Sequence, residues 1–322
     1  MIKVYLVSAL VSFALSFVFC LLLIPILRKL KAGQNILVYV KEHKGKSGTP
    51  TMGGIAFIAA AVVAAAIFIG KTKPVLLRTS VLSIVIGLFY MAIGLLDDYL
   101  KKRRKENLGL RAWQKFAFQS AVALFCGIYC LRAELTKLYV PFFEITLEIG
   151  WWIVPLVIFV FLATVNAVNL TDGLDGLAAG TSVPFFLTIG VLIALQGGDR
   201  GVAVLSFCLV GALFAYLLFN VSPALVFMGD TGSLALGGFA AAISSFTGNA
   251  LYIAVIGICF VISVISVMIQ VIYYKVTHGK RIFLMAPIHH HFQKKGHSES
   301  RISYAYFAVT LAIGALCVLT AL

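Results

Sequence analysis

Acidic residues occur at three places where apolar sequence gives way to polar sequence. Asp97 and Asp98 end one apolar block, Asp172 and Asp175 lie in the segment NAVNLTDGLDGL, and Asp230 lies in the segment FMGDTGS. Carboxylates that are brought together repel one another unless a cation lies among them, and oxygen ligands favour Mg²⁺ or Mn²⁺ over Zn²⁺. The five residues therefore predict a metal centre that binds a diphosphate.

Each acidic segment also has a simpler reading. Asp97 and Asp98 point about 100° apart on a helix, so they cannot both face one atom, and we expect two roles, or one role and one supporting residue. The simpler reading is a solvated cap beside the basic residues that follow. In the second segment polar residues recur every third position, which a continuous helix hosts poorly, and Gly173 and Gly176 allow the backbone to unwind; the alternative is an ordinary turn. Glycines flank Asp230, and the helix start after it could hold phosphate.

A histidine run and two lysines are further candidates. His289, His290 and His291 cannot share one helix face, so zinc binding is not expected; beside two lysines they suit anion binding and proton handling, or form a solvated basic surface. Lys46 follows Gly45 as in a Walker A loop, but position 40 is Val where that motif needs Gly. This excludes a P-loop NTPase, and Lys46 is left to contact a phosphate or a base. Lys115 either extends to the membrane surface or reaches a phosphate.

The elements that position these residues are predicted to be membrane spans. The chain has 322 residues, of which 61% are hydrophobic and 12% charged, with a mean hydropathy of +1.03; this excludes a water-soluble globular protein. Apolar blocks of helix-spanning length predict an all-α polytopic membrane protein with about ten spans, at residues 5–27, 53–69, 76–96, 113–131, 151–168, 178–196, 202–219, 232–247, 251–274 and 302–321.

The basic residues predict the topology. With both termini on the extracytoplasmic side, the cytoplasmic loops hold 19 of the 26 Lys and Arg residues, as the positive-inside rule requires. The net charge of +14 is therefore assigned to topology and not to nucleic acid. This count depends on the eighth span, which is short and rich in Gly and Ala. We expect one transmembrane domain, residues 1–322, whose site is formed by cytoplasmic loops at about 28–52, 97–115, 166–178, 220–232 and 275–301.

Five segments resemble, in order, motifs of the polyprenyl-phosphate N-acetylhexosamine-1-phosphate transferases. The segments DDYLK from Asp97, NAVNLTDGLDGL from Asn166 and FMGDTGS from Phe227 resemble motifs of the whole family. The segments TPTMGG from Thr49 and APIHHHF from Ala286 resemble those of its peptidoglycan-synthesising branch. The resemblance extends from about residue 44 to residue 297.

The resemblance implies transfer of phospho-N-acetylmuramoyl-pentapeptide from UDP-N-acetylmuramoyl-pentapeptide to undecaprenyl phosphate, which gives lipid I and UMP for the cell wall. It implies Mg²⁺, with Mn²⁺ as an alternative, at the cytoplasmic face of a bacterial inner membrane. A homodimer in contact with membrane lipid is expected. Asp97 or Asp98 would deprotonate the lipid phosphate in a one-step mechanism or attack the sugar-nucleotide phosphate in a two-step mechanism.

The same resemblance implies roles for individual residues. The expected catalytic residues are Asp97, Asp98, Asp230 and His289, with Asp230 as the metal ligand. The expected uridine pocket is Gly173, Leu174, Asp175 and Phe227, with Phe227 stacking on the base and Lys46 nearby. The residues expected to orient substrate or metal ligands are Asn169, Asp172 and Asn220. The residues expected to bind the lipid phosphate are Lys101 and Lys115, and those expected to bind the phosphate or sugar-peptide moiety are His289, His290 and His291.

Two other functions share some of these features. A transferase that uses UDP-N-acetylglucosamine has the acidic motifs, but the histidine run argues against it. An ion-coupled transporter also has intramembrane carboxylates and broken helices. Transporters place such acids near the middle of the membrane and contain internal repeats, whereas here the acids are predicted at one face and no repeat is visible in the sequence.

Overall fold

The computed structural model describes residues 1–30, 48–71, 77–104, 109–143 and 145–322. Apolar segments form helices because a chain in hydrocarbon must satisfy its backbone hydrogen bonds internally. In these residues the helices are α1 (Ile2–Lys29), α2 (Gly54–Ile69), α3 (Leu77–Arg104), α4 (Ala112–Arg132), α5 (Ile153–Thr171), α6 (Leu177–Leu195), α7 (Arg200–Asn220), α8 (Gly229–Phe246), α9 (Ala250–Ile256), α10 (Ile258–Val276), α11 (Ile288–Lys294) and α12 (Glu299–Leu319).

The predicted all-α polytopic membrane fold is confirmed. Within the described ranges, eight helices are long and apolar enough to cross a bilayer, namely α1, α3, α4, α5, α6, α7, α10 and α12, and α2 is a shorter apolar helix. An antiparallel hairpin, β1 (Lys137–Tyr139) with β2 (Thr146–Glu148), lies between α4 and α5. The hairpin was not predicted, and it lies in a loop between spans, so it leaves the span pattern unchanged.

α8 extends from the end of α3 to the hairpin between α4 and α5, but it is not among the eight helices that are long and apolar enough to cross a bilayer, so the predicted eighth span stays a prediction. It begins at Gly229, beside the C-terminal end of α3. Just beyond its last residue, the carbonyl of Gly248 accepts a hydrogen bond from Tyr139 N–H in β1 (2.8 Å). The amides of Asn249 and Gln196 exchange two hydrogen bonds of 2.9 and 3.0 Å. The hairpin and the end of α6 therefore mark the far end of α8.

The predicted ninth span, residues 251–274, is wrong as a single helix. The helix is interrupted at Gly257, whose ψ of 24° lies outside the α-helical range. A Cβ at Gly257 would lie 2.6 Å from the carbonyl oxygen of Ile253, so the bend requires glycine. The last two turns of α10 then project from the bundle, with apolar side chains such as Ile272 and Val276 exposed.

Small polar residues join α1 to α7. The hydroxyl of Ser12 donates to the carbonyl of Cys208 (2.7 Å), and the hydroxyl of Ser16 donates to the carbonyl of Ala212 (2.8 Å). Residues four positions apart lie on one face of a helix, and small side chains let two membrane helices approach closely. The contact is therefore made between backbones that nearly touch.

We expect Gly211→Ala to destabilise the protein, because Gly211 lies where α7 meets α1. A Cβ there would overlap the carbonyl oxygen of Ala9, and separating the helices to make room costs about 1–3 kcal/mol, as overpacking typically does. The measurement is the midpoint of thermal unfolding in detergent. Gly180→Ala is the matched control, because nothing lies within 4 Å of its Cβ position; a similar midpoint for both variants would contradict the packing argument.

Candidate active site

Four helix ends meet at one end of the bundle and bring the polar residues together. α3 and α5 end there, whereas α4 and α8 begin there. The side chains that come into contact are Asp97, Asp98 and Lys101 from α3, Lys115 from α4, Asn169 from α5 and Asp230 from α8. Residues more than 100 positions apart in the chain, such as Asp98 and Asp230, thus become neighbours.

Asp97, Asp98 and Asp230 form a close group of carboxylates. One oxygen from each lies within 4.8 Å of the others. Asp97 and Asp98 are only 3% and 1% exposed, so water does little to reduce their mutual repulsion. Such a group needs hydrogen-bond donors or positive charges close by, and the neighbouring residues supply both.

Asp98 caps the N-terminus of α8. Its Oδ1 accepts from the backbone N–H of Asp230 (3.2 Å), and its Oδ2 accepts from the N–H (2.9 Å) and the hydroxyl (2.7 Å) of Thr231. The first N–H groups of a helix have no partner within the helix, and the helix dipole favours a negative charge there. Gly229, at φ +71°, makes the approach possible, since a Cβ there would lie 2.5 Å from Asp98 Oδ2.

Two lysines and an amide surround Asp230. Its Oδ2 accepts from Nζ of Lys101 (3.0 Å) and Nζ of Lys115 (2.8 Å), and its Oδ1 accepts from Nδ2 of Asn169 (2.8 Å). Lys101 Nζ also lies 2.6 Å from Oδ2 of Asp97. The two ammonium groups lie among the carboxylates, and Lys115 points into the site and not toward the membrane surface.

The carboxylate group could hold a metal ion. Its donors are all oxygen atoms, and they are close enough to share one cation. Hard divalent cations such as Mg²⁺ prefer oxygen ligands of this kind. The donor set therefore fits the metal that the sequence motifs predict.

Asp175 and Asn220 hold together the two loops beside the carboxylates. Oδ2 of Asp175 accepts from the N–H of Ala224 (3.0 Å). Oδ1 of Asn220 accepts from the N–H of Gly176 (3.2 Å), and its Nδ2 donates to the carbonyl of Val226 (2.9 Å). The turn after α5 is thereby fixed against residues 221–228. Both side chains, which were expected to contact or orient substrate, are engaged in these loop contacts.

Two further residues of the expected uridine pocket, Leu174 and Phe227, differ in how far their side chains are buried. The side chain of Leu174 is buried in an apolar cluster with residues of α12, so its backbone is the part that can reach a nucleotide. Phe227 is half-buried, and its backbone pairs with the TPTMGG segment through the carbonyl of Pro50 (2.8 Å) and the N–H of Gly53 (2.9 Å). Lys46, expected beside the base, lies outside the described residues.

Two of the histidines lie against the turn after α5. A Cβ at Gly173 would lie 2.5 Å from Nε2 of His289 and 2.9 Å from Nε2 of His290, so glycine is required there. His289 is fully buried, and neither ring nitrogen has a hydrogen-bond partner among the described residues. Burial, with a smaller contribution from His290, lowers the pKa of His289 to about 3. Its ring is therefore neutral at neutral pH.

The third histidine of the run, His291, makes a contact within its own loop. Nδ1 of His291 accepts from the N–H of Leu284 (3.1 Å), so this ring holds the loop before α11.

Asp172 lies in the turn after α5. Burial, and then the negative charges of Asp230 and Asp98, raise the pKa of Asp172 to about 8. The protonated form of Asp172, which can donate a hydrogen bond, is therefore favoured relative to that of a free aspartate.

Several polar residues of the site were missed in the sequence. Ser233 accepts from Asn169 (2.8 Å), and Thr231 binds Asp98 as described. Glu299 accepts from the N–H of Asp175 (2.9 Å). The hydroxyls could have been found from their position in the first turn after Asp230, but Glu299 follows Ser298 in an ordinary helix-start pattern, which carries no sign of a contact 124 residues away.

The sequence matches two family models. Residues 79–248 match Glycosyl transferase family 4, and residues 46–58 match Phospho-N-acetylmuramoyl-pentapeptide-transferase signature 1. The first match covers more than half of the chain and extends from α3 to the end of α8, the helices that carry the three carboxylates.

Named relatives match almost the whole chain, and each is called phospho-N-acetylmuramoyl-pentapeptide-transferase. The chain is 46% identical to the protein of Listeria monocytogenes serotype 4b, covering 95% of this chain and 97% of the relative. It is 42% identical to the proteins of Geobacillus thermodenitrificans (98% and 97% covered) and Oceanobacillus iheyensis (97% and 96% covered). The chain therefore belongs to the phospho-N-acetylmuramoyl-pentapeptide transferases, a group of membrane enzymes within glycosyl transferase family 4.

Proposed function

We propose that this enzyme transfers phospho-N-acetylmuramoyl-pentapeptide from UDP-N-acetylmuramoyl-pentapeptide to undecaprenyl phosphate, giving lipid I and UMP. The observation that carries the proposal is the group of three carboxylates held beside Lys101 and Lys115 at one end of the bundle. An oxygen of the lipid phosphate bonds to the phosphorus attached to the sugar. The bond from that phosphorus to the bridging oxygen breaks, and its electron pair leaves with UMP.

We assign proton removal from the lipid phosphate to Asp97. Asp98 uses both oxygens to cap α8, so it positions the site and does not react. Oδ1 of Asp97 accepts from the N–H of Leu110 (2.8 Å). Its Oδ2 is paired only with a side chain, that of Lys101, which can transfer to a phosphate oxygen when substrate binds. This supports a one-step displacement in which Asp97 is the general base.

Negative charge on the phosphates is neutralised in two ways: the carboxylate site binds the metal, and the lysines contact phosphate oxygens directly. Asp230, oriented by Asn169, is the proposed ligand of Mg²⁺ or Mn²⁺. The metal would neutralise charge on the diphosphate oxygens during displacement. Lys101 and Lys115 would exchange their contacts with Asp230 for contacts with phosphate oxygens, which places positive charge where the transition state develops negative charge.

The loops around this centre are proposed to bind the rest of the nucleotide substrate. The backbone of residues 173–175 and the ring of Phe227 form the uridine pocket, which Asp175 and Asn220 hold in shape. Asp172 donates a hydrogen bond to an acceptor on the substrate. His290, which is partly exposed, contacts the sugar-peptide moiety beside the turn at Gly173, whereas the buried ring of His289 packs against that turn.

We propose that the site faces the cytoplasm in a bacterial inner membrane. The predicted cytoplasmic loops carry 19 of the 26 Lys and Arg residues, which supports this orientation. One substrate is a water-soluble nucleotide and the other a lipid. A site at the ends of α3, α5 and α8 could be reached from both phases, and a single transmembrane domain would suffice to hold it.

The first test is the release of UMP by purified protein in detergent with undecaprenyl phosphate and Mg²⁺. We expect release with UDP-N-acetylmuramoyl-pentapeptide and none with UDP-N-acetylglucosamine. Release with the second nucleotide only would assign the enzyme to the other branch of the superfamily. Folded protein that releases UMP from neither substrate would overturn the proposed function.

We expect Asp230→Asn to lower turnover by a factor of about 100 or more, as loss of a group that stabilises developing charge typically does. The substitution keeps the shape of the side chain and removes its charge. UMP release and the Mg²⁺ dependence of the unfolding midpoint are the measurements. Asp199→Asn is the control, since Asp199 caps α7 in contact with Ser80 of α3 and Asn caps helices equally well. Near-normal turnover of Asp230→Asn would remove the metal assignment.

The buried neutral ring of His289 predicts a loss of stability in acid. The unfolded chain takes up a proton as pH falls below about 6.5, whereas the folded chain does so only near pH 3; stability therefore falls across this interval. We expect the unfolding midpoint of wild-type protein to decline more steeply from pH 7 to pH 4 than that of His289→Gln. Parallel declines would show that His289 is not held neutral.

A further inference from the structure

A pair of amide side chains joins α4 to α5 beside the carboxylates. Nδ2 of Asn166 donates to Oε1 of Gln119 (2.8 Å) and to the carbonyl of Leu162, one turn earlier in α5 (2.8 Å). Both hydrogens of the Asn166 amide are used in this way, and Gln119 supplies an acceptor. Hydrogen bonds between side chains of neighbouring helices hold membrane helices together. We call Gln119 and Asn166 the amide pair.

The amide pair lies one turn away from two residues that hold Asp230. Lys115 precedes Gln119 by four positions in α4, and Asn169 follows Asn166 by three positions in α5. Residues three or four positions apart lie on one face of a helix. Lys115 contacts Oδ2 of Asp230 and Asn169 contacts Oδ1, each at 2.8 Å. The two oxygens of one carboxylate are thus held from two helices, so both contacts require a fixed spacing between α4 and α5.

Gln119 is the first buried residue of α4. It is 1% exposed, whereas residues 112–118, which precede it in the helix, are all exposed or half-buried. α4 also packs against α5 at Gly127, where a Cβ would lie 3.0 Å from the carbonyl oxygen of Val154, but this contact is about two turns further along α4. In the part of the chain that the structure describes, the amide pair is therefore the hydrogen bond between α4 and α5 that lies nearest to Lys115.

The backbone of Gln119 is held separately, by α3. The hydroxyl of Tyr90 in α3 donates to the carbonyl of Gln119 (3.2 Å). The ring of Tyr90 also stacks on that of Phe161 in α5, with the ring centroids 6.0 Å apart. Substitution of the Gln119 side chain leaves both contacts in place, so it removes the link to Asn166 and retains the position of α4 against α3.

We propose that Gln119 is a positioning residue, which fixes α4 against α5 through Asn166 so that Lys115 and Asn169 hold Asp230 in the orientation that binds the metal. The inference rests on the proposed function, because it takes Asp230 as the metal ligand. Gln119 belongs to none of the motifs found in the sequence. It lies one turn away from the residues that contact Asp230 and acts through them.

Gln119→Met isolates the hydrogen bond. Methionine is unbranched like glutamine, but its thioether is only a weak acceptor, so Asn166 loses its partner while the space stays filled. Gln119→Leu is a second variant that replaces the first if that one does not fold. Gln196→Met is the matched control, because Gln196 forms an amide pair with Asn249 at the far end of α8. The loss of that pair destabilises the fold without reaching the carboxylates.

The experiment measures kcat/KM for UMP release from UDP-N-acetylmuramoyl-pentapeptide and the Mg²⁺ concentration that gives half of the maximal rise in the unfolding midpoint in detergent. Loss of a residue that orients a metal ligand typically costs about 10- to 100-fold in activity or metal affinity. We therefore expect Gln119→Met to lower kcat/KM and to raise this Mg²⁺ concentration, each by about 10-fold or more. Gln196→Met should lower the midpoint in the absence of Mg²⁺ and leave both quantities close to those of the wild type.

Two outcomes would overturn the positioning role. One is a Gln119→Met protein that keeps both wild-type quantities. The other is a Gln196→Met protein that is impaired as strongly as Gln119→Met, which, like the failure of both Gln119 variants to fold, would make the effect one of general stability.

Wild-type protein that releases no UMP would count against the proposed function instead. The Mg²⁺ response of the unfolding midpoint then still decides the role of Gln119, because it requires no turnover. A wild-type midpoint that does not respond to Mg²⁺ would contradict the metal assignment of Asp230 and, with it, the role of Gln119.

Discussion

The burial of three carboxylates in one small volume is the constraint around which this end of the protein is built. An unpaired charge away from water is costly, and a buried charge that loses its partner is more costly still. Asp98 is balanced by the first N–H groups of α8, and Asp230 by two ammonium groups and an amide. Four helices contribute to this balance, so their relative positions are determined by it.

Glycine allows those helices to approach closely enough. A Cβ at Gly94 of α3 would overlap the carbonyl of Asp230, and a Cβ at Gly54 of α2 would overlap the backbone of Gly232. The backbones of α2, α3 and α8 are therefore in contact where the carboxylates lie. Close packing of this kind leaves little room for the side chains to shift, which preorganises the charges for reaction.

The sequence allowed the helices to be predicted, because hydropathy blocks and charged boundaries are local signals. Of the five acidic residues predicted to form one centre, Asp97, Asp98 and Asp230 do so, whereas Asp172 and Asp175 are not part of that group. The sequence did not distinguish the tasks of Asp97 and Asp98, since the capping of α8 is a contact over 132 residues. Leu174 and Asp175 lie in the expected turn, yet their side chains pack and bond to other loops, which depends on tertiary structure. The break at Gly257 was hidden because an apolar run has the same pattern with or without a bend.

The cap that Asp98 provides has a consequence for the biogenesis of the protein. The helix start that it caps is made 132 residues later, which is roughly 7–26 s at about 5–20 residues per second of translation. During that interval α3 has left the ribosome while its acidic end has no α8 to bind. The nascent chain must keep Asp97 and Asp98 hydrated or protonated at the membrane surface, and the final seating of α3 has to wait until α8 inserts.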